Sequence, residues 1–132
     1  MIVVLDSGVW ISALHFGGTP LAAVEKALSV DEVAICDQIV SEISRVLVEK
    51  LTWDSQRVRD SFSLYGHLLR HATVSGELLG ICRDPKDDMV FECAINAGAT
   101  LIVSGDRDLL AVGSYQMIRV VTPRTYVEGV PL

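Results

Sequence analysis

Short apolar runs rich in β-branched residues recur along this chain, separated by longer stretches with the three- and four-residue apolar spacing of helices. The strand-like runs are residues 2–5 (IVVL), 32–36 (EVAIC), 71–74 (HATV), 100–104 (TLIVS) and 117–121 (MIRVV), the last closed by Pro123. Between them, LAAVEKAL follows Thr19 as N-cap and Pro20 at the first helical position. Asp37 caps a helix whose stripe is Ile39, Ile43, Val46 and Leu47, and residues 54–70 carry Val58, Phe62, Tyr65 and Leu69 on one side. Asp84-Pro85 opens a further helix that ends at Gly98, and DLLAV forms a short one. Parallel strands need such crossovers, so the expected architecture is a three-layer α/β/α sandwich around a mainly parallel sheet. No repeat or linker interrupts residues 1–132, which read as a single domain.

A chain of 132 residues can bury roughly two-thirds of its extended surface without disulfides or a structural metal. No apolar stretch reaches the roughly 18 residues of a membrane span and no basic region precedes the first apolar run, so a soluble cytoplasmic protein is expected. Cys36, Cys82 and Cys93 are odd in number and form no CxxC pair, which suits buried small hydrophobes. His15, His67 and His71 lack metal-ligand spacing. The net charge of −6 argues against broad, phosphate-driven nucleic-acid binding, leaving a locally basic groove or a metal bridging to phosphate as the routes to such a partner.

Two of the strands run straight into acids, Asp6 after IVVL and Asp106 just after LIVS. In open parallel sheets ligands bind beyond the carboxyl ends of the strands, so both aspartates are expected at one edge. Glu42, in the helix after the second strand, and Asp88, near the start of the helix feeding TLIVS, can lean over that edge. Four carboxylates in one crevice repel one another unless a cation compensates them, and hard oxygen ligands suit Mg²⁺ or Mn²⁺. Such a centre supports phosphodiester hydrolysis with no protein nucleophile.

VLDSGVWISAL, VSEISRVL, RDPKDDMVFECAINAGA and LIVSGDRDLL together resemble PIN-domain proteins, from Met1 to Tyr126. The resemblance implies a metal-dependent endoribonuclease, similar to small VapC-type toxins that are paired with an antitoxin protein and form homodimers. It implies Asp6, Glu42, Asp88 and Asp106 as catalytic and metal-holding acids, with Asp87 competing for the third place. Asp88 and Asp106 stand eighteen residues apart, the spacing of compact members. Ser104, two residues before the fourth acid, and Ser12 resemble accessory polar positions, and Asp108 is a secondary participant or a solvated first-turn acid. One departure is Gly8, which stands where the opening motif commonly carries asparagine.

Other roles stay open for several of these residues. Asp106 can be a plain N-cap, Asp84 a cap, and Asp87 and Glu92 solvated acids. Trp10 and Trp53 can stack an RNA base or pack in the core or a dimer, and Arg45, Lys50, Arg57 and Arg59 can form a backbone-binding patch or a solvated face. Two further functions compete with the nuclease. An aspartyl-phosphate phosphatase also places an acid after its first strand but needs a second aspartate where Gly8 stands. A degenerate, non-catalytic PIN domain would bind RNA or protein instead.

Overall fold

A computed structural model describes residues 1–131. Strands β1 (Ile2–Leu5), β2 (Glu32–Ile35), β3 (Leu69–His71), β4 (Leu101–Val103), β5 (Ser114–Tyr115) and β6 (Ile118–Val121) form one sheet in the order β3-β2-β1-β4-β6-β5. Every neighbouring pair is parallel except β5 and β6. The helices are α1 (Ser7–His15), α2 (Gly18–Val30), α3 (Asp37–Glu49), α4 (Ser55–Tyr65), α5 (Pro85–Ala97), α6 (Arg107–Val112) and α7 (Pro123–Glu128). They flank the sheet in the expected α/β/α arrangement, with α5 packed across β1, β2, β4 and β6 while α2 packs on both α1 and α7.

The central strands are apolar along their whole length because both of their faces are covered. Val3, Val4 and Leu5 are wholly buried, as are Ile102 and Val103, and they join Trp10, Phe91 and Tyr126 in one contiguous core. Cys36 and Cys93 lie inside it, and all three cysteines are unpaired. Both tryptophans are packed rather than presented to a base. Trp10 is buried against Tyr65, while the Trp53 indole N–H donates to His15 Nδ1 at 2.9 Å and the Arg57 guanidinium stacks over its ring.

Caps explain where most of these helices start. The Asp84 carboxylate accepts the Lys86 N–H at 3.0 Å with Pro85 in the first turn, and Gly98, at φ 74°, closes α5 in the left-handed conformation that only glycine adopts freely. Other starts differ from the sequence expectation. Helix α2 begins at Gly18 and Thr19 does not cap it, while Cys36 takes the N-cap position before α3 and leaves Asp37 in the first turn. Strand β3 ends at His71, so HATV supplies only its last residue, although the Ala72 N–H still reaches Ile35 O. Helix α4 stops at Tyr65, giving way to a 3-10 turn at Gly66–Leu68. The expected strand MIRVV is β6 without Met117, whereas α1, α7 and β5 were not expected from the sequence. Serine and glycine are poor helix formers, yet α1 starts at Ser7, where Asp6 caps it by accepting the Ser7 N–H at 2.8 Å.

Candidate metal centre

The chain leaves β1 for β2 on one side and later places β4 on the other, so the sheet changes direction between β1 and β4. Loops that depart in opposite directions leave a crevice at that point. Here it is a cleft of about 730 Å³ lined by Asp6, Glu42, Asp84, Asp87 and Asp106, together with Ser7, Gly8, Ser12, Gln38 and Lys86. The acids arrive from four segments: the end of β1, the second turn of α3, the start of α5 and the β4–α6 junction.

Asp6 and Asp106 are held by the sheet itself. Leu5 pairs with Val103, and the Asp6 N–H continues the ladder to Val103 O at 3.0 Å. Ser104, one residue further, is fully buried. Its hydroxyl donates to Asp6 Oδ2 at 2.8 Å and accepts the Asp106 N–H at 2.9 Å, tying the two acid-bearing turns together. Asp106 is also the N-cap of α6, so the capping role and a site role coincide. Its Oδ1 accepts the N–H groups of Asp108 and Leu109, and Oδ2 has no hydrogen-bond donor among the described residues.

The third acid divides two neighbours. Successive helical residues project about 100° apart, so Asp87 and Asp88 cannot face the same way. Asp87 lines the cleft, and carboxylate oxygens of Asp87, Asp106 and Asp108 lie within 4.8 Å of one another. Asp88 is turned away, 2 % exposed, and accepts the backbone N–H groups of Gly80, Ile81 and Cys82 at 3.0, 3.1 and 2.6 Å. Glu92, one turn on, is likewise buried rather than solvated and accepts the N–H groups of Ser75, Gly76 and Leu78. The eighteen-residue spacing favours Asp88, whereas the geometry brings Asp87 to the other acids. The signal available in the sequence was the i, i+4 pair Asp88 and Glu92, which marks one face of α5, while Asp87 shares a side with Val90, another lining residue.

Glu42 lies in the lining, half-exposed, and both its oxygens are engaged by Arg45, the nearest contact being 2.9 Å. Arg45 also pairs with Glu49 at 3.6 Å. The Asp6 carboxyl is pushed above its ordinary range by burial, which outweighs the hydrogen bonds from Ser104 and Ser7, and Asp106 and Glu42 add repulsion. Burial pushes Asp87 up to about 6, with Asp106, Asp6, Asp84 and Asp108 contributing like charge. Gly8 supplies no second acid for an aspartyl-phosphate site, and a Cβ built there meets nothing within 4 Å.

Carboxylate and hydroxyl oxygens dominate the cleft lining, and the carboxylates repel one another, a set that suits a hard divalent cation. A mainly parallel α/β sheet with an acid cluster at its switch point is the class of fold that the chain presents. Within that class the PIN-domain family model matches residues 2–108, and the chain belongs to the PIN-domain family. No curated protein matches the sequence. Several solved structures share the fold, two of them as follows. VapBC2 from Rickettsia felis, bound to a DNA fragment from their promoter, superposes with a TM-score of 0.66 at 14% identity, over 92% of this chain and 98% of the other. VapC20 from Mycobacterium tuberculosis, described as a Sarcin-Ricin loop cleaving toxin, gives 0.63 at 14% identity, over 89% and 98%.

Proposed function

We propose that the protein is a divalent-metal-dependent endoribonuclease, acting as a VapC-like toxin that an antitoxin protein neutralises. The observation that carries this is the gathering of Asp6, Glu42, Asp87 and Asp106 from four segments into one cleft beyond β1 and β4. Asp6, Asp87 and Asp106 would hold Mg²⁺ or Mn²⁺, with Asp108 beside them and Glu42 joining once released by Arg45. When bound, the ions would supply the charge that acidifies an attacking water and offsets negative charge developing on the phosphate. The chain's own part is positional. Ser104 fixes Asp6 and the Asp106 backbone, Asp88 stabilises the loop that precedes α5, and Ser12 lines the wall.

The substrate is single-stranded or looped RNA, whose unstacked bases allow selection, and residues 1–132 act as one domain within a cytoplasmic homodimer. No helix among the described residues is long and apolar enough to cross a membrane. Asp6→Asn combined with Asp106→Asn is expected to abolish Mn²⁺-dependent cleavage of single-stranded RNA, and full activity in that double variant would sink the proposal. A second function, a non-catalytic PIN domain that binds RNA or protein, is favoured by one observation: Arg45 occupies both oxygens of Glu42. Wild-type protein that binds RNA yet never cleaves it with Mn²⁺ or Mg²⁺ would decide for it.

A further inference from the structure

A cleft ringed by carboxylates must admit a polyanion if RNA is the substrate, and its lining contains one basic side chain, Lys86. Three of the four cations expected to bind the RNA backbone are engaged elsewhere, and the fourth, Lys50, does not line the cleft. Arg45 is held by Glu42 and Glu49, Arg57 lies over Trp53, and Arg59 donates to Gln56. Lys86 is different. It sits in the first turn of α5, where Asp84 fixes its backbone N–H, and Asp84 and Asp87 on either side of it line the same cleft. Side chains of a helix tilt toward its N-terminus, which for α5 is the cleft end. Lys86 is exposed, and among the described residues no carboxylate forms an ion pair with its ammonium, although acids surround it. An ammonium that these acids do not capture is available to a phosphate.

We propose that Lys86 binds a backbone phosphate of the RNA strand at the mouth of the cleft, drawing the strand onto the acid cluster, rather than serving as an internal counter-ion. This rests on the ribonuclease proposal. Its test is cleavage of single-stranded RNA in Mn²⁺ by wild type, Lys86→Gln and Lys86→Arg, with KM and kcat separated and the salt dependence of kcat/KM measured. Loss of one charged phosphate contact raises KM about tenfold in Lys86→Gln, and the loss falls on KM more than on kcat. The slope of log kcat/KM against log salt becomes shallower by about 0.7, the value for one single-strand phosphate. Lys86→Arg restores both, and Mn²⁺ affinity measured by calorimetry stays at the wild-type value in either variant. An unchanged KM and slope in an active Lys86→Gln would overturn the lysine's role alone, as would unchanged RNA terms with tighter Mn²⁺ binding, the mark of a counter-ion. A wild type with no metal-dependent cleavage would instead overturn the ribonuclease proposal beneath it.

Discussion

Asp87 and Asp88 are adjacent in the chain and do opposite things. Asp87 enters a cleft of other acids, where burial and like charge push it up to about 6. Asp88 projects from a different face of α5 and accepts backbone N–H groups from Gly80, Ile81 and Cys82. Glu92 repeats that arrangement with Ser75, Gly76 and Leu78. The two acids together hold residues 75–82, a stretch with no helix or strand of its own. Buried backbone N–H groups must find acceptors, and these two carboxylates provide them. One helix thus presents one acid that lacks donors among the described residues and two that are saturated with them. The first arrangement is the one proposed to hold a cation, whereas the second is complete.

The largest effect separates the two on activity. Asp87→Asn removes a cleft oxygen and is expected to lower Mn²⁺-dependent RNA cleavage by at least about a hundredfold, beyond what loss of a supporting residue does. Stability shows the reverse order. Asp88→Ala or Glu92→Ala leaves three backbone N–H groups without an acceptor and should cost about 2–4 kcal/mol in denaturant unfolding. Asp87→Asn should cost nothing measurable there, or stabilise. A neutral Asp88→Ala would break the distinction between the two faces.

The fold was legible because its signals are local. Buried strands appear as apolar β-branched runs, and α5 is bracketed by Asp84-Pro85 and Gly98. The places of Asp6 and Asp106 followed from strand ends, since a sheet fixes where its edge lies. The choice between Asp87 and Asp88 was not legible in the same way, because it depends on helical phase to within one residue and spacing along the chain does not set that phase. Nor did the sequence disclose the anchoring of residues 75–82, whose acceptors lie up to 17 residues further along. Helix α1 was hidden by Ser7-Gly8, which mark a break unless Asp6 is seen as the cap of a helix starting at Ser7.

The two kinds of acid also predict opposite responses to pH. Asp87 rises from an ordinary 3.8 to about 6 on folding, so between those values the folded state holds a proton that the unfolded state releases. Its contribution to stability therefore falls as pH climbs from about 4 to about 6 and stays low above that. Glu92 shows the other sign. Burial alone would raise it, but the N–H groups of Leu78, Ser75 and Gly76 and the Ser75 hydroxyl pull it below its ordinary value, so its contribution is present above that value and lost as pH falls through the lowered one. Unfolding free energies of metal-free wild type and Asp87→Asn across pH 4 to 7 should differ by a decline that is steeper in the wild type, since Asp6, also pushed up by burial, remains in both. Parallel profiles would contradict the assignment of the repulsion to Asp87.

The smallest effect concerns the cleft wall. A side chain at Gly8 meets no neighbour within 4 Å, and the residue lies in the first turn of α1. Gly8→Asn should therefore fold with a stability within about 0.5 kcal/mol of wild type, since a better helix former replaces glycine. A change in kcat/KM without a change in stability would show that this position reaches the substrate.

The most direct test of the distinction is Mn²⁺ titration by calorimetry on wild type, Asp87→Asn and Asp88→Asn, with folding of each verified by circular dichroism. Wild type and folded Asp88→Asn should bind with the same affinity, and Asp87→Asn should bind at least about tenfold more weakly. Undiminished binding by Asp87→Asn, or binding lost in a folded Asp88→Asn, would contradict the account.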